Sequence, residues 1–232
     1  MDYLKLATDP AQYDSPEVNW SEVGREDSLS RQYFQSHLQS IITSLKDKKV
    51  LDIGCGIGQL FKLLKEMGAS EIYGFDPSQK NIDFVQSNYK GVNVQKNTLQ
   101  NYVSPVSVDV CIAVMVFEHI FDLQEAFNKI NSFLNLKGLF YLIIGDKSYN
   151  IGPRADLLSI DIMEIRDGVV TTKTVRESWT SYDIFRPLQN TISAAESAGF
   201  LLEEQKELPE RIPMDPSHPK TCCHLLVLRK VK

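Results

Sequence analysis

Residues 50–60, VLDIGCGIGQL, constrain this chain more than any other stretch. Val50, Leu51 and Ile53 surround Asp52 as the residues of a buried strand would. Glycines follow at 54, 56 and 58, and a helical pattern resumes from Gln59. Glycine lets a backbone approach a ligand closely, and a helix start offers unpaired N–H groups. A strand, a glycine turn and a helix start in that order therefore form a place for a nucleotide-like ligand. The spacing narrows the choice. A dinucleotide turn needs G-x-G-x-x-G, but Gln59 stands at the sixth place here, and no Gly-Lys-Ser/Thr follows as a phosphate loop requires. Phosphate cradling is not the best account of these glycines.

The rest of the chain repeats the alternation of strand and helix. EIYGFDPS (71–78) reads as a second strand closing on Asp76, with Pro77 suited to a first helical position. VNVQ (92–95) is a third strand. SVDVCIAVMV (107–116) is an apolar run suited to a strand buried on both faces, and LFYLIIG (139–145) is a fifth. Strands that alternate with helices imply a parallel sheet covered on both sides. Upstream, Leu29, Tyr33, Phe34, Leu38, Ile41, Ile42 and Leu45 recur at helical spacing, with Asp27 or Ser28 as the cap. Residues 1–27 are polar and interrupted by Pro10, Pro16 and Gly24. They read first as a surface-hugging arm and second as a lid. Between residues 146 and 186, SIDIMEI (159–165) and VVTTKTV (169–175) flank Asp167-Gly168, which predicts a β-hairpin insertion at the ligand edge of the sheet. The two domain segments are thus an arm and helix over 1–46 and the α/β domain over 47–232.

Composition excludes some classes. The net charge of −5 argues against a broad nucleic-acid or anionic-membrane surface. No stretch approaches the roughly 18 apolar residues of a membrane span, and MDYLKLATDPAQ lacks the basic and apolar regions of a secretory signal. Cys55, Cys111, Cys222 and Cys223 form no C-x-x-C pair, so neither a zinc site nor a disulfide framework is signalled. Reduced, mostly buried thiols fit a cytoplasmic location.

VLDIGCGIGQL resembles the first motif of class I S-adenosylmethionine-dependent methyltransferases, and the resemblance continues in order. FDPS places an acid at the end of the second strand. VDVCIAVMVFEHI resembles the fourth strand and the following helix start, KGLFYLII the fifth strand, and RPLQNTISAAESAGF the helix that enters the sixth strand. The fold class this implies is a Rossmann-like three-layer α/β sandwich. Its seven-stranded, mostly parallel sheet carries an antiparallel C-terminal strand, with the hairpin insertion after the fifth strand. The implied cofactor is S-adenosyl-L-methionine. Its ribose hydroxyls suit a paired acceptor such as Asp76. By the same resemblance Gly54, Gly56 and Gly58, with Cys55, press against the cofactor. Asp52 lies near its amino-acid end or orders the turn, and Pro77 follows the ribose acid. The family often has an acid after the third strand, but this chain has Asn97, Thr98 and Leu99 there, which leaves the adenine contact to amide, hydroxyl and backbone groups. Met115 and Val116 either flank the methionine moiety or belong to the core.

The expected activity is methyl transfer to an O, N or C nucleophile of a small-molecule metabolite. The alternative is a cofactor-binding module that serves a protein partner without transferring a methyl group. His119 is the candidate base, against a purely structural histidine. Tyr149, Arg154, Arg176 and Tyr182, in and beside the insertion, are candidate substrate contacts. His224 reads as structural. The fourth and fifth strands end without the paired carboxylates of metal-dependent relatives, so no catalytic metal is expected. The sequence leaves the oligomeric state open.

Overall fold

The computed structural model describes residues 2–14, 29–158, 160–176, 179–211, 217 and 219–232. Seven strands form the central sheet: β1 (Lys49–Ile53), β2 (Glu71–Asp76), β3 (Asn93–Lys96), β4 (Val108–Val114), β5 (Leu134–Gly145), β9 (Phe200–Pro209) and β10 (Thr221–Lys230). Their order is β3-β2-β1-β4-β5-β10-β9, and every pairing is parallel except those of β10 with β5 and with β9. The helices of the domain are α2 (Leu29–Ile41), α3 (Phe61–Glu66), α4 (Gln79–Asn88), α5 (Leu123–Phe133) and α8 (Leu188–Ser197).

Period-2 alternation sorts the strand residues into two cores. On one face Leu51, Ile53, Phe75, Phe140, Leu142, Leu226 and Leu228 meet Phe127 and Ile130 of α5 and Ile192 and Ala195 of α8. On the other, Val50, Ile72, Ile112, Ile143 and Leu225 meet Leu38 of α2, Phe61 and Leu64 of α3, and Ile82 and Val85 of α4. A sheet apolar on both faces must be covered on both, which makes the three layers. α5 illustrates how the sequence sets an element. Asp122 caps it by accepting from the Glu125 N–H at 2.8 Å, and its apolar residues 126, 127, 130 and 133 share one stripe.

The insertion differs from the hairpin expected at 159–175. It begins with two short helices, α6 (Lys147–Ile151) and α7 (Pro153–Leu158), and continues as a three-stranded antiparallel sheet: β6 (Asp161–Arg166), β7 (Val169–Arg176) and β8 (Trp179–Phe185). The Asp167-Gly168 turn is where it was expected, with both residues at positive φ. The third strand was missed because WTSYDIF carries too few apolar residues to show a period by itself. It is stabilised by pairing with β7 along its length, from Val170↔Phe185 to Arg176↔Trp179. The described N-terminal residues form α1 (Tyr3–Thr8) and a 3-10 turn (Pro10–Tyr13). The Tyr3 and Tyr182 rings meet at 6.4 Å, and the Gln12 amide oxygen accepts from the Tyr182 N–H at 3.3 Å. The proposed caps Asp27 and Ser28 lie outside the described residues.

Candidate active site

The chain runs β1 to β3 in one direction along the sheet and then crosses back to β4 and β5. The crevice outside the carboxyl ends of strands at such a reversal is where open α/β sheets bind ligands. Here it holds a cavity of about 720 Å³, well within the range of small-molecule sites. The end of β1 supplies Asp52 and the turn Gly54-Cys55-Gly56. Asp76 closes β2 and Pro77 follows it, and Asn97, Thr98 and Leu99 follow β3. Val114 closes β4, and Met115, Val116 and His119 follow it.

The glycine turn is built around Asp76. One carboxylate oxygen accepts from the Gly56 N–H at 2.8 Å. The other accepts from the Ser78 N–H at 2.9 Å and the Asn81 side-chain amide at 2.9 Å. Burial raises the Asp76 pKa, and these three donors oppose the rise. Pro77 is not the first helical position expected: Ser78 caps α4, its hydroxyl accepting from the Asn81 N–H, and the helix begins at Gln79. A carboxylate has about four acceptor positions, so three internal donors leave room for a ligand hydroxyl.

Gly54 has φ +64°, and a Cβ there would stand 2.7 Å from a Val116 methyl. Met115, also at positive φ (55°), turns the chain back so that Val116 covers Gly54. At Gly56 an added Cβ would meet no protein atom within 4 Å, so the cavity side of the turn is open. Gly58 is a correction to the sequence reading. It does not line the cavity, and a Cβ there would press on Phe61 at 2.8 Å and Tyr89 at 3.1 Å. Its work is to let α3 pack against α4.

Asp52 is buried, and burial together with the Asp76 charge pushes its carboxyl up to about 8. An unfolded aspartate titrates at about 3.9, so between these values the folded chain holds a proton that the unfolded chain has released. Stability from this group is complete below about pH 4 and is lost as pH rises toward 8. In urea titrations from pH 4 to 8, the stability difference between Asp52→Asn and the parent should widen in favour of the variant. A difference that stays flat would mean that Asp52 is ionised throughout.

His119 is positioned by its neighbours. Buried Glu118 accepts from the Gly145 N–H at 2.6 Å, tying this turn to the end of β5. The Arg186 guanidinium donates to the Ile120 carbonyl at 2.6 Å, tying it to the exit of the insertion. Nε2 of His119 stands 3.6 Å from an Asp183 carboxylate oxygen on β8, while Nδ1 is buried without a hydrogen-bond partner among the described residues. The Tyr13 ring, from the N-terminal turn, packs edge-on against the imidazole at 5.2 Å. Thr8, Pro10 and Tyr13 line the same cavity, so this part of the arm sits over the site. Asp14 fastens it there, accepting from the Ser78 hydroxyl at 2.7 Å and from Lys96 at 3.0 Å.

The proposed substrate contacts lie elsewhere. Tyr149 packs on the second core cluster and its N–H donates to Asp146. Arg154 donates to Asn150 at 2.6 Å, and Tyr182 faces Tyr3. None of the three lines the cavity. Tyr149 and Arg154 miss it because they sit on α6 and α7, the first of which packs against β10, and Tyr182 because its ring is turned to Tyr3 of the N-terminal arm. The Arg176 side chain lies outside the described residues. Asp183 and Tyr13 were missed in the sequence. Asp183 gives a faint signal as the polar partner of alternating Tyr182 and Ile184, and Tyr13 gives none. His224 bonds Asp146 at 2.9 Å, holding the end of β5 to β10. Among the described residues no group of three or more His, Cys, Asp or Glu is arranged to hold a metal ion, and no helix is long and apolar enough to cross a membrane.

Comparison with known proteins agrees with this geometry. Residues 51–142 match the model of a methyltransferase domain. The ubiquinone biosynthesis O-methyltransferase of Rickettsia bellii is 26% identical over 167 residues, 68% of this chain and 67% of that protein. The protein of the same name from Bradyrhizobium diazoefficiens is 29% identical over 110 residues, 46% of this chain and only 43% of its own length. A solved S-adenosylmethionine-dependent methyltransferase from Mesorhizobium loti superimposes with a TM-score of 0.66 at 16% identity. It covers 88% of this chain and 100% of that one. The open glycine turn and the buried acid closing β2 fit a cofactor that brings hydroxyls and no phosphate. With the matched domain and the strand order, they give this chain a methyltransferase domain over residues 51–142 and the fold of class I S-adenosylmethionine-dependent methyltransferases.

Proposed function

We propose that the methyl acceptor is the hydroxyl of a small molecule, with a phenol the first class to test. The observation that carries this is the His119–Asp183 pair on and behind the cavity wall. The cofactor's sulfonium supplies an already electrophilic methyl group, so the protein's share is to position the acceptor, exclude water and handle one proton. A neutral hydroxyl must lose that proton as the new bond forms, and a positioned histidine is suited to take it. His119 lines the cavity with Nε2 toward Asp183, which orients the ring. The Asp183 carboxylate then steadies the imidazolium that forms. At 3.6 Å it is within ion-pair range but beyond a direct hydrogen bond. The arm closes the other side, with the Tyr13 ring beside the imidazole. The relatives' name, an O-methyltransferase of ubiquinone biosynthesis, supports an oxygen acceptor.

The residues proposed to hold the cofactor are Asp52, Gly54, Cys55, Gly56, Asp76, Pro77, Asn97, Thr98, Leu99, Met115 and Val116, all of which line the cavity. The test is transfer of a labelled methyl group to a panel of phenols, amines and activated carbon acids. Turnover should be greatest with the phenols. Label found mainly in the amines would overturn the oxygen assignment. No product with any acceptor, despite cofactor binding, would favour the non-catalytic module.

A further inference from the structure

Two thiols have no part in this chemistry. Successive side chains of a regular strand point to opposite faces, so Cys222 and Cys223, at the start of β10, should diverge. They converge instead. The register between β10 and β9 shifts between Thr221 and Cys223, which makes Cys222 the extra residue of a bulge. The two sulfurs come to 3.7 Å, and both residues pack in the same core cluster. Cys222 also lies 3.5 Å from the Tyr33 hydroxyl on α2 and donates to the Pro209 carbonyl at 3.2 Å. Both residues are nearly buried, 9% and 6% exposed.

The geometry disfavours a disulfide. Neighbouring Cα atoms are about 3.8 Å apart, short of the roughly 4.4–6.8 Å that disulfides span. A single soft atom bridging the sulfurs makes no such demand, because the sulfurs stay apart and each bonds to the atom between them. Soft ligands of this kind select thiophilic ions. The contact with Cys223, joined by that with the Tyr33 hydroxyl, also brings the Cys222 thiol down to about 7 while raising that of Cys223, so one sulfur of the pair ionises near neutral pH.

We propose that Cys222 and Cys223 form a two-sulfur chelate for a trivalent arsenical, a site separate from the cofactor cavity. With phenylarsine oxide, the arsenic–oxygen bond breaks and two arsenic–sulfur bonds form. The two thiol protons leave with the oxygen as one water, and no electrons change hands. Burial restricts the site to small reagents, so a bulky aromatic disulfide should react slowly with the native chain.

The experiment treats the full native chain with one equivalent of phenylarsine oxide, then unfolds it in excess N-ethylmaleimide and maps the peptides. The expected result is one phenylarsenic group per chain, with Cys222 and Cys223 protected together and Cys55 and Cys111 alkylated. Cys222→Ser and Cys223→Ser should each weaken capture by about 100-fold or more, since either leaves a single sulfur. Cys111→Ala should not weaken it. Because the protection map uses the unaltered chain, it stands even if a variant folds poorly. Protection of only one of the two, label on Cys55 or Cys111, or a Cys222–Cys223 disulfide formed in air would overturn the proposal.

Discussion

Asp76→Ala should weaken S-adenosylmethionine binding by about 100-fold, or about 2.7 kcal/mol. The size follows from what the carboxylate holds. It accepts from the Gly56 N–H of the glycine turn, from the Ser78 N–H before α4 and from the Asn81 side chain. Alanine leaves these buried donors without their acceptor and removes the acceptor proposed for the ribose. The loss therefore combines a missing ligand contact with a loosened turn. Asp76→Asn separates the two, since it keeps the shape but presents an N–H toward one of the donors. Calorimetric titration with the cofactor measures both variants, and a melting curve without cofactor shows how much of the effect is structural. An unchanged affinity in Asp76→Ala would remove Asp76 from the cofactor site and leave it only the work of holding the turn.

His119→Ala should lower kcat toward a phenol by about 100- to 10,000-fold, the usual worth of a positioned base, with a much smaller effect on cofactor affinity. A histidine that only packs against Tyr13 and the Glu118 turn would, when lost, lower stability and leave the pH dependence of turnover in place. A base gives a different signature. The rise of kcat with pH should disappear in His119→Ala, and added imidazole should restore part of the rate. Asp183 acts through His119, so Asp183→Asn should shift the pH profile and reduce kcat less than loss of the ring itself. Full turnover by His119→Ala would refute the base and return the histidine to a structural role.

The different fates of particular residues show where sequence and structure divide the information. The sheet was legible because its signals are local. Val50, Leu51 and Ile53 show their burial within a few residues, and Asp76 closes a strand that its own neighbours define. The proposed cofactor half of the site follows, since Asp52, the glycine turn, Asp76 and Asn97–Leu99 all stand at or just after the ends of strands whose order the topology sets. Gly58 shows the limit of a motif. It shares the spacing and the positive φ of its neighbours, yet only packing shows that it faces Phe61 and Tyr89.

The acceptor half was not legible. His119 was visible as a histidine at a helix start, but its partner Asp183 lies 64 residues further along, on a strand that exists because β7 pairs with it. Tyr13 reaches the same imidazole from the N-terminal arm, and Tyr149 and Arg154, which looked equally suitable, are carried away by α6 and α7. The sequence by itself determined the α/β fold, the cofactor class and the turn at residues 50–60, because periodicity and glycine conformation act between near neighbours. Only the tertiary structure decided which side chains surround the proposed acceptor and that Cys222 and Cys223 share one face. Those outcomes depend on strand pairing and register between distant segments, which local patterns do not encode.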